Sequence, residues 1–218
     1  MKKIFLVVVS FSLLGTAWAS ITGNVMPKPK TFQAPQTSQS SASAKSKTGK
    51  AKAVKQSVTF NGKKFYLEYS NGNGQEWLNE YLPAGQKFET YTEMIAVRSY
   101  DTLQATPAEI AQAIADNYAR DYPGVKYLLA ANDKTGDGLV SFIMIGGNVL
   151  EHNLFRTTLR GSTPVAIQHV YRKYLPKGQP RSKEDMSAFA KDTSSRRAGW
   201  INALDAMPVP ETVRTVKQ

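Results

Sequence analysis

The chain has 218 residues, a formal net charge of +11 and no cysteine. This length is enough for one domain with a hydrophobic core and an appendage, but not for two full domains. The missing cysteine excludes disulfide bonds and thiolate metal sites, and argues against a lipoprotein anchor. All 17 acidic residues lie after residue 56, where 19 basic residues nearly balance them. The positive charge therefore belongs to the N-terminal region rather than to the domain.

Residues 1–19 have the pattern of a secretory signal peptide. Lys2 and Lys3 precede an apolar run over residues 4–14, and Ala17-Trp18-Ala19 matches a small-residue cleavage site. We expect cleavage after Ala19 and a mature, lipid-free chain that is soluble in the periplasm or secreted. The apolar run is too short to span a membrane, and no later segment is long enough. The alternative interpretation is an uncleaved N-terminal anchor.

Residues 20–56 are rich in Ser, Ala, Thr, Gln, Lys and Pro and have few large apolar side chains. This composition predicts a disordered segment, since it cannot bury enough surface to offset chain entropy. The segment is either a solvated linker or an electrostatic tether to an anionic surface. The lysines that would form the tether are Lys45, Lys47, Lys50, Lys52 and Lys55. No arginine or aromatic residue lies among them, so we expect no specific nucleic-acid binding.

The first part of the predicted domain reads as a β-hairpin followed by a mixed segment. Ser57–Phe60 and Lys63–Tyr69 flank Asn61-Gly62, the residue pair that a type I′ turn favours. Gln75–Tyr81 is expected to form a short helix. Glu89–Tyr100 alternates between two faces and is expected to be a strand.

A capped helix follows. Thr106, Pro107 and Glu109 together form the sequence pattern of a capping box with proline at the first helical position. Tyr122-Pro123-Gly124 should end this helix, and Lys126–Ala131 should be the next strand.

A meander of strands forms the centre of the predicted domain. Glycine-containing turns interrupt Leu139–Leu175 at residues 146–148 and 161–164. Strands joined by such tight turns must be antiparallel neighbours. Residues 132–138 lead into this meander. They have a faint likeness to a calcium-binding loop, but their ligands do not alternate and no glutamate closes the site, so a plain hairpin turn is favoured.

A long amphipathic helix is predicted to begin at Ser182 and to end before Pro208. Its apolar stripe should lie on the sheet; it consists of Met186, Phe189, Thr193, Arg197, Trp200, Leu204 and Met207. Residues 208–218 are expected to be a loose tail. The predicted domain, residues 57–207, is therefore α+β: an antiparallel sheet of about six strands with helices packed on it.

Five polar residues on two long strands are the candidate partner-binding residues: Glu151, Asn153, Arg156, Gln168 and Arg172. They could line a groove. The competing interpretations are the solvated face of a half-buried sheet, or buried pairs that hold the strands in register. Trp77, Tyr81 and Trp200 are interpreted as core residues rather than as a ligand platform.

The chain contains two histidines, His152 and His169, on neighbouring predicted strands. A two-histidine metal site would need a third ligand, and alternation places Glu151 on the face opposite His152, so no metal or cofactor is expected. No nucleophile elbow, P-loop or dinucleotide fingerprint is present. The alternative function is a hydrolase with a noncanonical acid–base pair, in which Glu151 or Asp137 acts with one of the histidines.

Several scattered features together resemble the PsbP-like superfamily, which includes bacterial envelope proteins of the DcrB type. These features are Trp77, Tyr81-Leu82-Pro83 with Gly85, residues 91–95, the capped helix, Leu150-Glu151 with Asn153 and Phe155-Arg156, and Ala166 with Gln168 and Tyr171-Arg172. The resemblance spans about residues 57–207 and implies a non-catalytic binding or scaffold domain with no catalytic residues. The expected partner is an envelope protein or another component of the cell envelope.

Overall fold

The computed structural model describes residues 18–20, 56–176, 178 and 182–214. These residues form one antiparallel sheet with a helix on each face. The strands are β1 (Trp18–Ser20), β2 (Ser57–Phe60), β3 (Lys63–Gly72), β4 (Glu76–Pro83), β5 (Glu93–Tyr100), β6 (Tyr127–Asn132), β7 (Gly138–Gly146), β8 (Val149–Arg160) and β9 (Thr163–Tyr174). The helices are α1 (Pro107–Asp121) and α2 (Lys183–Ala206). The α+β class is confirmed, but the expectation of about six strands is too low.

The sheet consists of two meanders joined along one edge. The strand order is β1-β6-β7-β8-β9-β5-β4-β3-β2, and every neighbouring pair is antiparallel. Strands β2–β5 form the first meander and β6–β9 the second, and β5 pairs with β9. The predicted hairpin is confirmed: Asn61 and Gly62 have positive φ angles of 47° and 74°, as a type I′ turn requires.

The predicted helix over Gln75–Tyr81 is wrong, because this segment is strand β4. Apolar residues at positions 77, 78, 81 and 82 fit a helical face as well as a strand that is covered on both sides. Hydrogen bonding to β3 on one side and to β5 on the other selects the strand. Tyr81 and Leu82 are both buried, on opposite faces of the sheet.

The α1 helix covers one face of the sheet over β6, β7 and β8. Its predicted capping box is confirmed: the Glu109 backbone N–H donates to Thr106 Oγ1, and Glu109 Oε2 accepts from the Thr106 backbone N–H. The helix comes very close to β7, where a Cβ on Gly138 would lie 2.6 Å from the Cβ of Ala111. The side of the sheet on which α1 packs is called the α1 face below.

The α2 helix packs on the opposite side, the α2 face, mainly over β8 and β9. The predicted start is confirmed, since Ser182 caps the helix by accepting from the Asp185 backbone N–H. Trp200 and Leu204 from the predicted stripe are buried in the main core cluster. Trp200 and Tyr81 therefore lie in the core, as expected, whereas Trp77 is only half-buried.

The prediction of a loose C-terminal tail does not hold for the described residues up to Arg214. Val213 exchanges two hydrogen bonds with the side chain of Asn79, and Arg160 donates to the carbonyl of Pro210. A buried asparagine on β4 needs these backbone partners, which ties the tail to the sheet.

The expected signal peptide and linker lie largely outside the described residues. Of residues 1–55, the structure describes Trp18–Ser20, which pair with residues 130–132 of β6. Within the described part of the chain, no helix has the length and apolar character needed to cross a membrane.

Candidate functional site

Four of the five predicted binding residues lie together on the α1 face, on β8 and β9. Glu151 pairs in register with Arg172, and the two form a salt bridge. The Asn153 amide donates to Glu151 at 2.9 Å, and Gln168 donates to Asn153 at 2.7 Å. The four side chains therefore form one connected hydrogen-bonded network rather than four independent surface groups.

The fifth residue, Arg156, is not part of this network, because alternation along β8 places it on the α2 face. It forms a nearly buried ion pair with Asp137 at 2.8 Å. It also donates to the carbonyl oxygens of Leu204, Asp205 and Met207 at 2.8–3.1 Å. The last turn of α2 contains no basic residue, and Arg156 satisfies its free carbonyl groups from the sheet. These contacts hold the end of α2 against the sheet, so Arg156 does not share a surface with the other four predicted binding residues.

The same face of the sheet continues from this network across β5 to β4. Gln168 is in register with Ala96 on β5, and Ala96 is in register with Glu80 on β4. At the other end, the Arg172 guanidinium lies 4.0 Å from the ring centroid of the buried Tyr91, in a cation–π contact. We call the five residues Glu80, Glu151, Asn153, Gln168 and Arg172 the polar strip.

Glu80 differs from the other charged residues of this region. The Glu76 carboxylate is paired with Arg98, and the Glu151 carboxylate is paired with Arg172. Glu80 is half-buried, and within the described part of the chain its carboxylate has no hydrogen bond or ion pair. Burial raises the pKa of Glu80, and the more distant charges of Arg98 and Arg172 only partly oppose this. Glu80 was not among the predicted site residues, because its segment was assigned to a helix.

Both histidines lie in the core beneath α2, where their side chains have no exposed surface. The Trp200 ring centroid lies 5.2 Å from that of His152 and 4.9 Å from that of His169. His152 Nε2 is 3.0 Å from Ser141 Oγ, whereas both ring nitrogens of His169 lack a partner among the described residues. Burial lowers the pKa of each histidine to about 3, and the charge of Arg197 contributes at His152.

The carboxylates proposed to act with these histidines are engaged elsewhere. Asp137 is held by Arg156, and Glu151 lies on the opposite face of the sheet from His152. No group of three or more possible metal ligands occurs among residues 18–20, 56–176 and 182–214. The Asn132–Gly138 segment forms a hairpin turn in which Asn132 Oδ1 accepts from the backbone N–H groups of Lys134 and Thr135. This is the hairpin turn that the sequence favoured over a calcium-binding loop.

No curated protein matches the chain. A protein-family model matches residues 52–209, from just before β2 to just after α2. The match covers nearly three quarters of the 218 residues and includes every residue of the polar strip. The chain therefore belongs to this family.

Proposed function

We propose that the protein is an exported, non-catalytic binding or adaptor domain of the bacterial cell envelope. The polar strip is the contact surface, and the partner is a protein that presents a basic side chain to Glu80. The observation that carries the proposal is the half-buried carboxylate of Glu80, which has no partner among the described residues and lies beside carboxylates that are paired.

A buried carboxylate without a partner is costly, because it loses hydration without gaining hydrogen bonds. A lysine or arginine from a partner would remove this cost and form a charge-assisted hydrogen bond. The same contact would return the pKa of Glu80 toward its ordinary range. The paired neighbours would fix the orientation of the partner, since the partly exposed Gln168 amide and Arg172 guanidinium keep fixed positions on the sheet. Asn153 is fully buried and contributes by holding Glu151 and Gln168 in place.

Export rests on the signal pattern of residues 1–19, and the resemblance to the PsbP-like superfamily favours a binding or scaffold role. Cleavage after Ala19 would remove two of the three residues of β1, so that β2–β9 form the sheet of the mature protein. The lysines of residues 20–56 would add weak, salt-dependent attraction to anionic surfaces, and the folded domain would supply selectivity.

The positions of the histidines speak against the hydrolase alternative. A general base must reach the proton that it abstracts and must titrate near the working pH. Both rings are enclosed by core residues, and the pKa of each is lowered to about 3. No observation in the described structure favours the acid–base mechanism, and it is not proposed.

Capture experiments from envelope extracts test the proposed function. The tagged mature chain should retain a protein partner, and Glu80→Lys should abolish this retention by like-charge repulsion. The control Glu89→Lys should retain the partner, because Glu89 is exposed in a neighbouring loop. Retention should survive deletion of residues 20–56, provided circular dichroism shows that the shortened chain is folded. Retention that is unchanged in Glu80→Lys, or that depends only on residues 20–56, would contradict the proposal.

A further inference from the structure

A cavity of about 460 Å³ lies on the α2 face, away from the polar strip. It lies between α2, from Met186 to Arg197, and the strands β6, β7 and the start of β8. Ile143, Leu150 and Phe189 give it apolar walls, and Leu150 and Phe189 are buried. Toward solvent the lining includes Tyr127 and Ile145, which are 39% and 40% exposed. This volume is within the range of small-molecule sites, and the exposed rim gives a ligand access.

Arg197 on α2 places a positive charge in this apolar lining. Its Nε atom is enclosed and has no hydrogen-bond partner, and within the described residues its guanidinium forms no ion pair. The adjacent Arg196 contrasts with it, since Arg196 is exposed and bonded to Asp192 at 2.7 Å. Ser141 also lines the cavity, and it is hydrogen-bonded to His152, whose pKa the charge of Arg197 helps to lower.

The charged groups that line the cavity are all basic. Lys126 lies at the exposed rim and Arg197 lies deeper, and no aspartate or glutamate is among the described lining residues. A guanidinium enclosed by apolar walls needs an anion, and its planar donors match the two oxygens of a carboxylate. Among the described lining residues the enclosed charge is that of Arg197, whereas Lys126 is exposed to solvent at the rim, so the chemistry favours a monoanion over a dianionic phosphate.

We propose that this cavity binds a small anionic amphiphile, whose carboxylate is held by Arg197 and whose apolar body packs on Ile143, Leu150 and Phe189. The site is separate from the polar strip, because it lies on the other face of the sheet. The ligand can therefore bind whether or not a protein partner occupies the α1 face.

Titration calorimetry on the mature chain tests the site with three probes of equal chain length: decanoate, decanol and decyltrimethylammonium. Decanoate should bind with one molecule per chain, and the neutral and cationic probes should bind at least about tenfold more weakly, because charged hydrogen bonds carry that difference. Arg197→Gln should weaken decanoate binding by about tenfold or more. The matched control Arg196→Gln and the unrelated Glu80→Lys should leave it unchanged.

Two further measurements protect the test against a variant that does not fold. In the unaltered protein, decanoate should shift the NMR signal of the Arg197 Nε–H group and leave that of Arg196 in place. Ala190→Trp should block binding by filling the cavity from the exposed side of α2 without disturbing the core. The proposal is overturned if decanoate does not bind, if decanol binds equally well, or if binding leaves the Arg197 signal unmoved.

Discussion

The two buried histidines predict a steep loss of stability in mild acid. Each histidine has a pKa lowered from 6.5 to about 3 in the folded protein, and in the unfolded chain each returns to its ordinary value. Between these limits the unfolded chain binds two more protons than the folded protein, so the free energy of unfolding falls as the pH falls. The histidine contribution is fully present above pH 6.5 and is lost toward pH 3.

The magnitude is large relative to the stability of a domain. Each histidine lowers the free energy of unfolding by about 1.4 kcal/mol per unit of falling pH, so the two together lower it by about 2.7 kcal/mol per unit. Between pH 6.5 and pH 5 the loss is about 3 kcal/mol, because the unfolded histidines are only half protonated at pH 6.5, and this is a large part of the stability of a marginal domain. The raised pKa of Glu80 acts in the opposite direction, because the folded protein accepts that proton more readily than the unfolded chain.

His169→Phe isolates the effect. The His169 ring contacts Phe60 and Trp200 at centroid distances of 4.5 and 4.9 Å and makes no hydrogen bond in the described structure, so a phenyl ring can keep its ring contacts. Urea unfolding from pH 7 to pH 4, followed by circular dichroism, should show the histidine-dependent slope reduced by about 1.4 kcal/mol per pH unit in the variant. Contributions from carboxylates cancel in this comparison. Equal pH dependence of the two proteins, or titration of His169 near pH 6.5 by NMR, would refute the reasoning.

Two further changes test the contacts that position the helices. Arg156→Ala should lower the free energy of unfolding by about 3–5 kcal/mol, because it leaves Asp137 buried and unpaired and removes donors from the end of α2. The control Arg120→Ala breaks an exposed ion pair and should change the free energy of unfolding by less than about 1 kcal/mol in the same urea titration. Thr106→Ala should lower the free energy of unfolding by about 1 kcal/mol, because it removes the cap of α1, whereas Thr106→Ser should keep most of that stability. Equal stability of the two variants would contradict the capping role of Thr106.

The elements that could be predicted from the sequence carry local signals. Asn61-Gly62 needs positive φ angles and defines its hairpin, and the capping box at Thr106 involves residues three positions apart. The turns of the second meander likewise fix antiparallel neighbours without knowledge of the rest of the fold. Alternation also placed Glu151 and Gln168 correctly within their strands.

The features that could not be predicted depend on partners distant in the chain. Strand β4 is selected by its two neighbours rather than by its own pattern, and Glu80 was missed with it. Arg156 has the same alternation signal as any other strand residue, and its partners at the end of α2 lie about 50 residues away. The position of Arg197 in a helical stripe predicted burial, but not a cavity beside it.

The central claim is that the polar strip is the surface that contacts a protein partner. A photoreactive residue placed at Gln168 in the full-length protein tests it directly in living cells, with the same residue at the exposed Ser195 of α2 as the control. We predict a specific cross-linked adduct from position 168 that disappears when Glu80→Lys is added, and no such adduct from position 195. No adduct from position 168, or an adduct that persists with Glu80→Lys, would contradict the account.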